Sequence, residues 1–132
     1  MTIQEVDNLL TQLYQDRPQA LTEFGKNFFA STITTSFRQW FHDLSLQGSG
    51  HGTIATARSL RDEDLRHDLG KIQIPSGIFH GLLDRICPYE LALQMHKGIR
   101  NSQLFRFEKS GHAIFYDELE KFNRQFTDFL QA

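Results

Sequence analysis

Two short apolar runs separated by a stretch of helical periodicity constrain this chain more than any other feature. Gly77-Ile78-Phe79-His80-Gly81, bounded by Pro75 and Gly81, has the length and composition of a strand covered on both faces. Gln103 to Glu108, where Phe105 and Phe107 alternate with Leu104 and Arg106, predicts a second strand. Between them Pro88 opens a helix in which Leu91, Ala92, Met95 and Ile99 recur every three or four residues. After the turn Lys109-Ser110-Gly111, a last helix is predicted with Asp117 as N-cap and Glu120 in capping-box position. Its buried stripe is Leu119, Phe122, Phe126, Phe129 and Leu130. Strand, helix, strand, helix in this order predicts a right-handed parallel crossover, and so an α/β fold class for this part.

The first 60 residues show no strand. Ile3, Val6, Leu9, Leu10, Leu13 and Tyr14 form the stripe of an amphipathic helix that must stop before Pro18. A second helix is predicted from Pro18 to Ala30, with Leu21, Phe24, Phe28 and Phe29 on one face. Phe37, Trp40, Phe41 and Leu44 carry a third. The run Gly48-Ser49-Gly50-His51-Gly52 is expected to break it as a flexible turn. The character of the chain changes at about residue 60, where Leu60, Leu65, Leu69 and Ile72 lead through many charges into Pro75.

The chain has 12 Phe against 1 Trp and 3 Tyr, so aromatic bulk supplies much of the core inventory. Phe28, Phe29, Phe37, Trp40 and Phe41 fit a packed core or a pocket wall, and core is the preferred reading. A formal charge of -2 leaves no basic excess for a phosphate backbone, which argues against nucleic acid as a partner. MTIQEVDNLL lacks the basic-then-apolar order of a signal peptide, and no run is long enough to span a membrane. With a single cysteine, Cys87, which admits no internal disulfide, a soluble cytoplasmic protein is expected.

In parallel α/β sheets the reacting groups sit in loops at the carboxyl ends of the strands. Here those loops hold Asp84, four residues past His80, and His112, after Ser110-Gly111. A histidine that moves a proton and a carboxylate that fixes its tautomer are two parts of an acyl-transfer triad. His80-Gly81-Leu82-Leu83-Asp84-Arg85-Ile86-Cys87-Pro88 resembles the H-G-x-x-D-x-(I/V)-x-P signature that follows the penultimate strand of the α/β-hydrolase superfamily. Ser110-Gly111-His112 is similar to the S-G-H or G-G-H after its last strand, and the order of acid then histidine is that family's. The stretch from Asp64 to Ile72 with Ile74-Pro75 resembles the preceding segment in the non-haem haloperoxidase and esterase branch.

The resemblance implies that residues 60–132 are the C-terminal βαβα part of the α/β-hydrolase core and that residues 1–59 are a lid-like helical segment. It implies Asp84 as the orienting acid and His112 as the general base of a serine esterase or hydrolase. It implies no cofactor, and no metal is expected, because His42, His51, His67, His80 and His96 show no metal-ligand spacing. Cys87 is read as a small packed thiol.

No serine has glycine two before and two after it; Ser49 and Ser110 both fail the G-x-S-x-G test. The elbow and oxyanion hole would lie upstream of Met1, so the chain alone is expected to be inactive. A small ester becomes a substrate only when a separate N-terminal half supplies what is missing. A parallel pair lacking its usual neighbour strand also exposes an edge and apolar helix faces, which predicts self-association or pairing with that half. A non-catalytic association module and a truncated gene product without function are the alternatives.

Overall fold

The computed structural model describes residues 1–131. Two compact units result, one made of residues 1–26 and 32–63, the other of residues 27–31 and the chain from Asp64 onward.

The first unit is helical. Helix α1, Ile3–Gln15, buries Val6, Leu10 and Leu13 and starts with a capping box in which the Thr2 hydroxyl accepts from the Glu5 amide and the Glu5 carboxylate from that of Thr2. Helix α2, Arg17–Gly25, is capped by Asp16, whose side chain accepts from the Gln19 amide, with Pro18 in the first turn. It ends earlier than its apolar periodicity predicts. The amides of Ala30 and Ser31 bond to the Asp117 carboxylate and the Phe28 carbonyl accepts from the Ala113 amide, so the backbone beyond Lys26 follows non-helical partners.

Helix α3, Thr35–Leu46, has Thr34 as its cap. The glycine-rich run corrects the expectation of a flexible turn. Only Gln47 to Ser49 break the chain, and Gly50 and Gly52 lie in the first turn of helix α4, Gly50–Asp62. The reason is local: the Ser49 hydroxyl accepts from the Gly52 amide and satisfies a donor that a helix start leaves orphaned. Ala57 of α4 packs with Val6 and Leu10, and Arg61 bonds the Asp7 carboxylate at 2.8 Å, so apolar and charged contacts both fix α4 on α1.

In the second unit, strands β1, Ser76–Gly81, and β2, Ser102–Phe107, run parallel with Ser76 opposite Ser102 and Gly81 opposite Phe107. Helix α5, Tyr89–Gly98, joins them, and a 3-10 turn, Arg66–Lys71, precedes β1. Among the described residues the sheet has these two strands and no third. The phenylalanines form its apolar centre. Phe79 stacks on its register partner Phe105 with centroids 4.4 Å apart, and Phe122, Phe126 and Phe129 of helix α7, Leu119–Gln131, meet Phe79 edge-on.

Asp117 is not the cap of α7. It closes a separate short helix α6, Ile114–Asp117, and its carboxylate is taken by backbone amides elsewhere. Among the described residues no helix is long and apolar enough to cross a membrane.

Gly81 ends β1 where a side chain has no room. A Cβ there would stand 2.2 Å from the Gly111 carbonyl oxygen and 2.3 Å from that of Ser110, both backbone atoms. Gly81→Ala therefore forces the two strand-end loops apart and is expected to cost about 3 kcal/mol, read by chemical denaturation. A loss of less than about 0.5 kcal/mol, the usual size of a surface change, would count against this close approach.

Candidate active site

The loop after β1 is folded around a carboxylate. Asp84 Oδ1 accepts from the amides of Ile86 at 2.8 Å and Cys87 at 2.9 Å, a turn that aspartate side chains favour. The side chain is 3% exposed, so those bonds replace the water it has lost. His80, at the end of β1, donates from Nε2 to the Cys87 carbonyl at 2.8 Å, bracing the far end of the same turn, and its ring lies edge-on to Tyr89. The loop is also zipped to its neighbour after β2, as the Leu82 amide donates to the Phe107 carbonyl and the Leu83 amide to that of Ser110.

The loop after β2 is held by two consecutive acids. Glu118 accepts from the buried Ser110 hydroxyl at 2.7 Å and from the Lys109 amide at 2.9 Å. Asp117 accepts from the Gly111 amide at 2.8 Å and from the amides of Ala30 and Ser31. Burial raises the Asp117 pKa, but the hydrogen bonds from Ser31, Ala30 and Gly111 outweigh it and hold the carboxyl below its ordinary value. Phe28 lies edge-on to His112, with centroids 4.9 Å apart.

These supports deliver His112 Nδ1 to 2.8 Å from Asp84 Oδ2, joining the two residues that the sequence places in separate loops. Since the carboxylate can only accept, Nδ1 carries the proton. The imidazole is 34% exposed, open enough to meet a reactant, while its orienting acid is almost dry. A cleft of about 430 Å³ opens beside Asp84, lined by Asn27, Phe29, Ala30, Leu82 and Arg85 among others.

Cys87 stands differently from the sequence reading, and so does the aromatic set. Cys87 is not simply a packed thiol: its Sγ, a ring nitrogen of His112 and a carboxylate oxygen of Asp84 all lie within 4.8 Å of one another. No spacing rule pointed there, because the turn around Asp84 sets where the thiol faces. Ser49 caps α4 and Ser110 is bonded to Glu118, so both hydroxyls have structural partners. The aromatic set does not form one core: Phe28 and Phe29 lie in the second unit, beside His112 and the cleft. Phe37 and Phe41 lie in the first, half-buried, with Trp40 55% exposed.

His112 has its pKa raised to about 9. A hydrogen bond with the Cys87 side chain contributes most; burial opposes it, and the bond to Asp84 and the charges of Asp84 and Cys87 add to it.

The alpha/beta hydrolase fold family matches residues 3–119. The AB hydrolase superfamily protein YisY of Bacillus subtilis is 42% identical over 129 residues, 98% of this chain and 48% of the relative. A putative non-heme chloroperoxidase of Synechocystis is 32% identical over 132 residues, 95% of this chain and 48% of that protein. The solved structure of an esterase from Exiguobacterium antarcticum superposes with a TM-score of 0.95 at 47% identity, covering 100% of this chain and 49% of the esterase. The chain spans about half the length of the curated relatives it matches.

A raised histidine pKa is also a statement about stability. The His112 contribution is complete below the unfolded value of about 6.5 and is lost as pH rises through the folded value of about 9. NMR titration of the His112 ring is expected to give a midpoint well above 6.5, and Cys87→Ser and Asp84→Asn should each move it down. An unchanged midpoint in both variants would remove these two side chains as its cause.

Proposed function

The chain belongs to the alpha/beta-hydrolase fold family, and on that premise we propose that it supplies the acid and base of a serine-hydrolase site for small esters. The 2.8 Å bond between His112 Nδ1 and Asp84 Oδ2 carries this reading, because it fixes the tautomer that leaves the other ring nitrogen as the base. In that role His112 takes the proton of a serine hydroxyl as it attacks the ester carbonyl, then returns it to the departing alkoxide. Asp84 stays ionised and stabilises the imidazolium between the two transfers. Likeness to the Exiguobacterium esterase supports the ester class, and likeness to the putative non-heme chloroperoxidase of Synechocystis keeps a peracid-forming branch in view.

The nucleophile and the oxyanion hole come, in this reading, from a segment with G-x-S-x-G that these 132 residues do not contain. The chain alone is then inactive. Apolar exposure supports a partner: Leu119, Phe126 and Leu130 of α7 are all open, Leu130 by 67%, and among the described residues neither strand of the sheet has a second neighbour. The partner is that segment, or a second copy of the chain in its absence.

Mixing the chain with the half of the Exiguobacterium esterase that it does not cover is expected to restore hydrolysis of p-nitrophenyl butyrate. Asp84→Asn in the mixture should lower kcat roughly 10⁴-fold. A complex that forms by size exclusion yet neither turns over nor is labelled by a fluorophosphonate would refute the hydrolase role. By light scattering, the chain alone should exceed the 15.3 kDa of a monomer. A dilute monomer with a cooperative melt would exclude association through these surfaces.

A further inference from the structure

We propose that Asp84, Cys87 and His112 form a binding site for one borderline-soft divalent cation, of which zinc is the type. Each residue offers one donor, a carboxylate oxygen, Sγ and a ring nitrogen, and the three lie within 4.8 Å of one another. A tetrahedral zinc with bonds of about 2.0 Å to N or O and 2.3 Å to S sets its donors about 3.3 to 3.8 Å apart. The three can therefore close on an ion with side-chain shifts on the order of an ångström.

The surroundings already hold the donors in place. Asp84 is fixed through Oδ1 by the amides of Ile86 and Cys87, which leaves Oδ2 directed at the cluster. The Cys87 backbone is braced by His80 on its carbonyl, and the His112 loop by Asp117 on the Gly111 amide. Such outer contacts orient metal ligands and are a regular part of metal sites. The cation would take the place of the proton now held between Asp84 and His112, with the thiol proton leaving to solvent as the metal–sulfur bond forms.

A mixed sulfur, nitrogen and oxygen set selects zinc, cobalt or cadmium over magnesium and calcium, which require oxygen. Three protein donors leave a fourth position for water on the partly exposed side of the imidazole. The separations of three and twenty-five residues between these ligands match no metal-binding sequence pattern, so only the fold assembles the site. The proposal goes beyond the hydrolase reading and shares two residues with it, but its test is separate, since binding is read on the purified chain without substrate. Were both to hold, an ion there would occupy the base and silence it.

Calorimetry with ZnCl2 on the metal-free chain is expected to give one equivalent per chain, and CoCl2 a thiolate-to-cobalt charge-transfer band. Cys87→Ser should abolish that band and weaken zinc binding at least about 100-fold, with His112→Gln weakening it comparably. The double variant His51→Gln, His67→Gln should bind as the parent does. Independently of any variant, ZnCl2 but not MgCl2 should slow alkylation of Cys87 by iodoacetamide in the native chain. Absence of the cobalt band, or alkylation indifferent to zinc, would overturn the site; so would a folded Cys87→Ser protein that binds zinc as tightly as the parent.

Discussion

The Asp84 carboxylate is where the two strand-end loops of the second unit are tied together. One oxygen closes its own turn through two backbone amides and the other reaches across to His112, so a single side chain shapes one loop and anchors the other. It can do so because it is almost fully desolvated: with water excluded, each of those bonds is short of competitors and an unmade one would be expensive. Parallel pairing of β1 with β2 sets the separation, since Gly81 opposite Phe107 brings both strand ends to the same level.

Around that tie the supports are hierarchical. His80 braces the Asp84 turn from the strand, Glu118 anchors Ser110 and Lys109, and Asp117 anchors Gly111. The histidine itself is left with an open flank and an aromatic edge from Phe28. A reacting imidazole needs both, a fixed orientation and access, and here they are divided between different neighbours.

Much of this was legible in the residues. The strands and their connecting helix announced themselves through apolar runs bounded by proline and glycine, and the rule that chemistry gathers at strand ends pointed to Asp84 and His112. What escaped is what depends on distant partners. Asp117 satisfies every local criterion for a helix cap, yet amides 86 and 87 residues away in sequence claim its oxygens. The end of α2 shifts for the same reason, as no periodicity reveals that Ala30 and Ser31 have bonds elsewhere. Gly50 and Gly52 suggested a break that the Ser49 cap overrides. The facing of Cys87 toward His112 follows from a turn, and turns write no periodic signal.

The small contribution of Asn27–Ser31 to the second unit has a topological consequence. The body that carries the acid and the histidine is discontinuous, so no single cut isolates it, and a fragment starting at Asp64 would leave behind the pentapeptide whose amides saturate Asp117. Its assembly must therefore wait for residues more than eighty positions apart to meet, which makes loop closure, rather than the local helices, the slow element expected in its folding. Recombination that moved the last seventy residues to another scaffold would carry the histidine but lose the clasp that seats it.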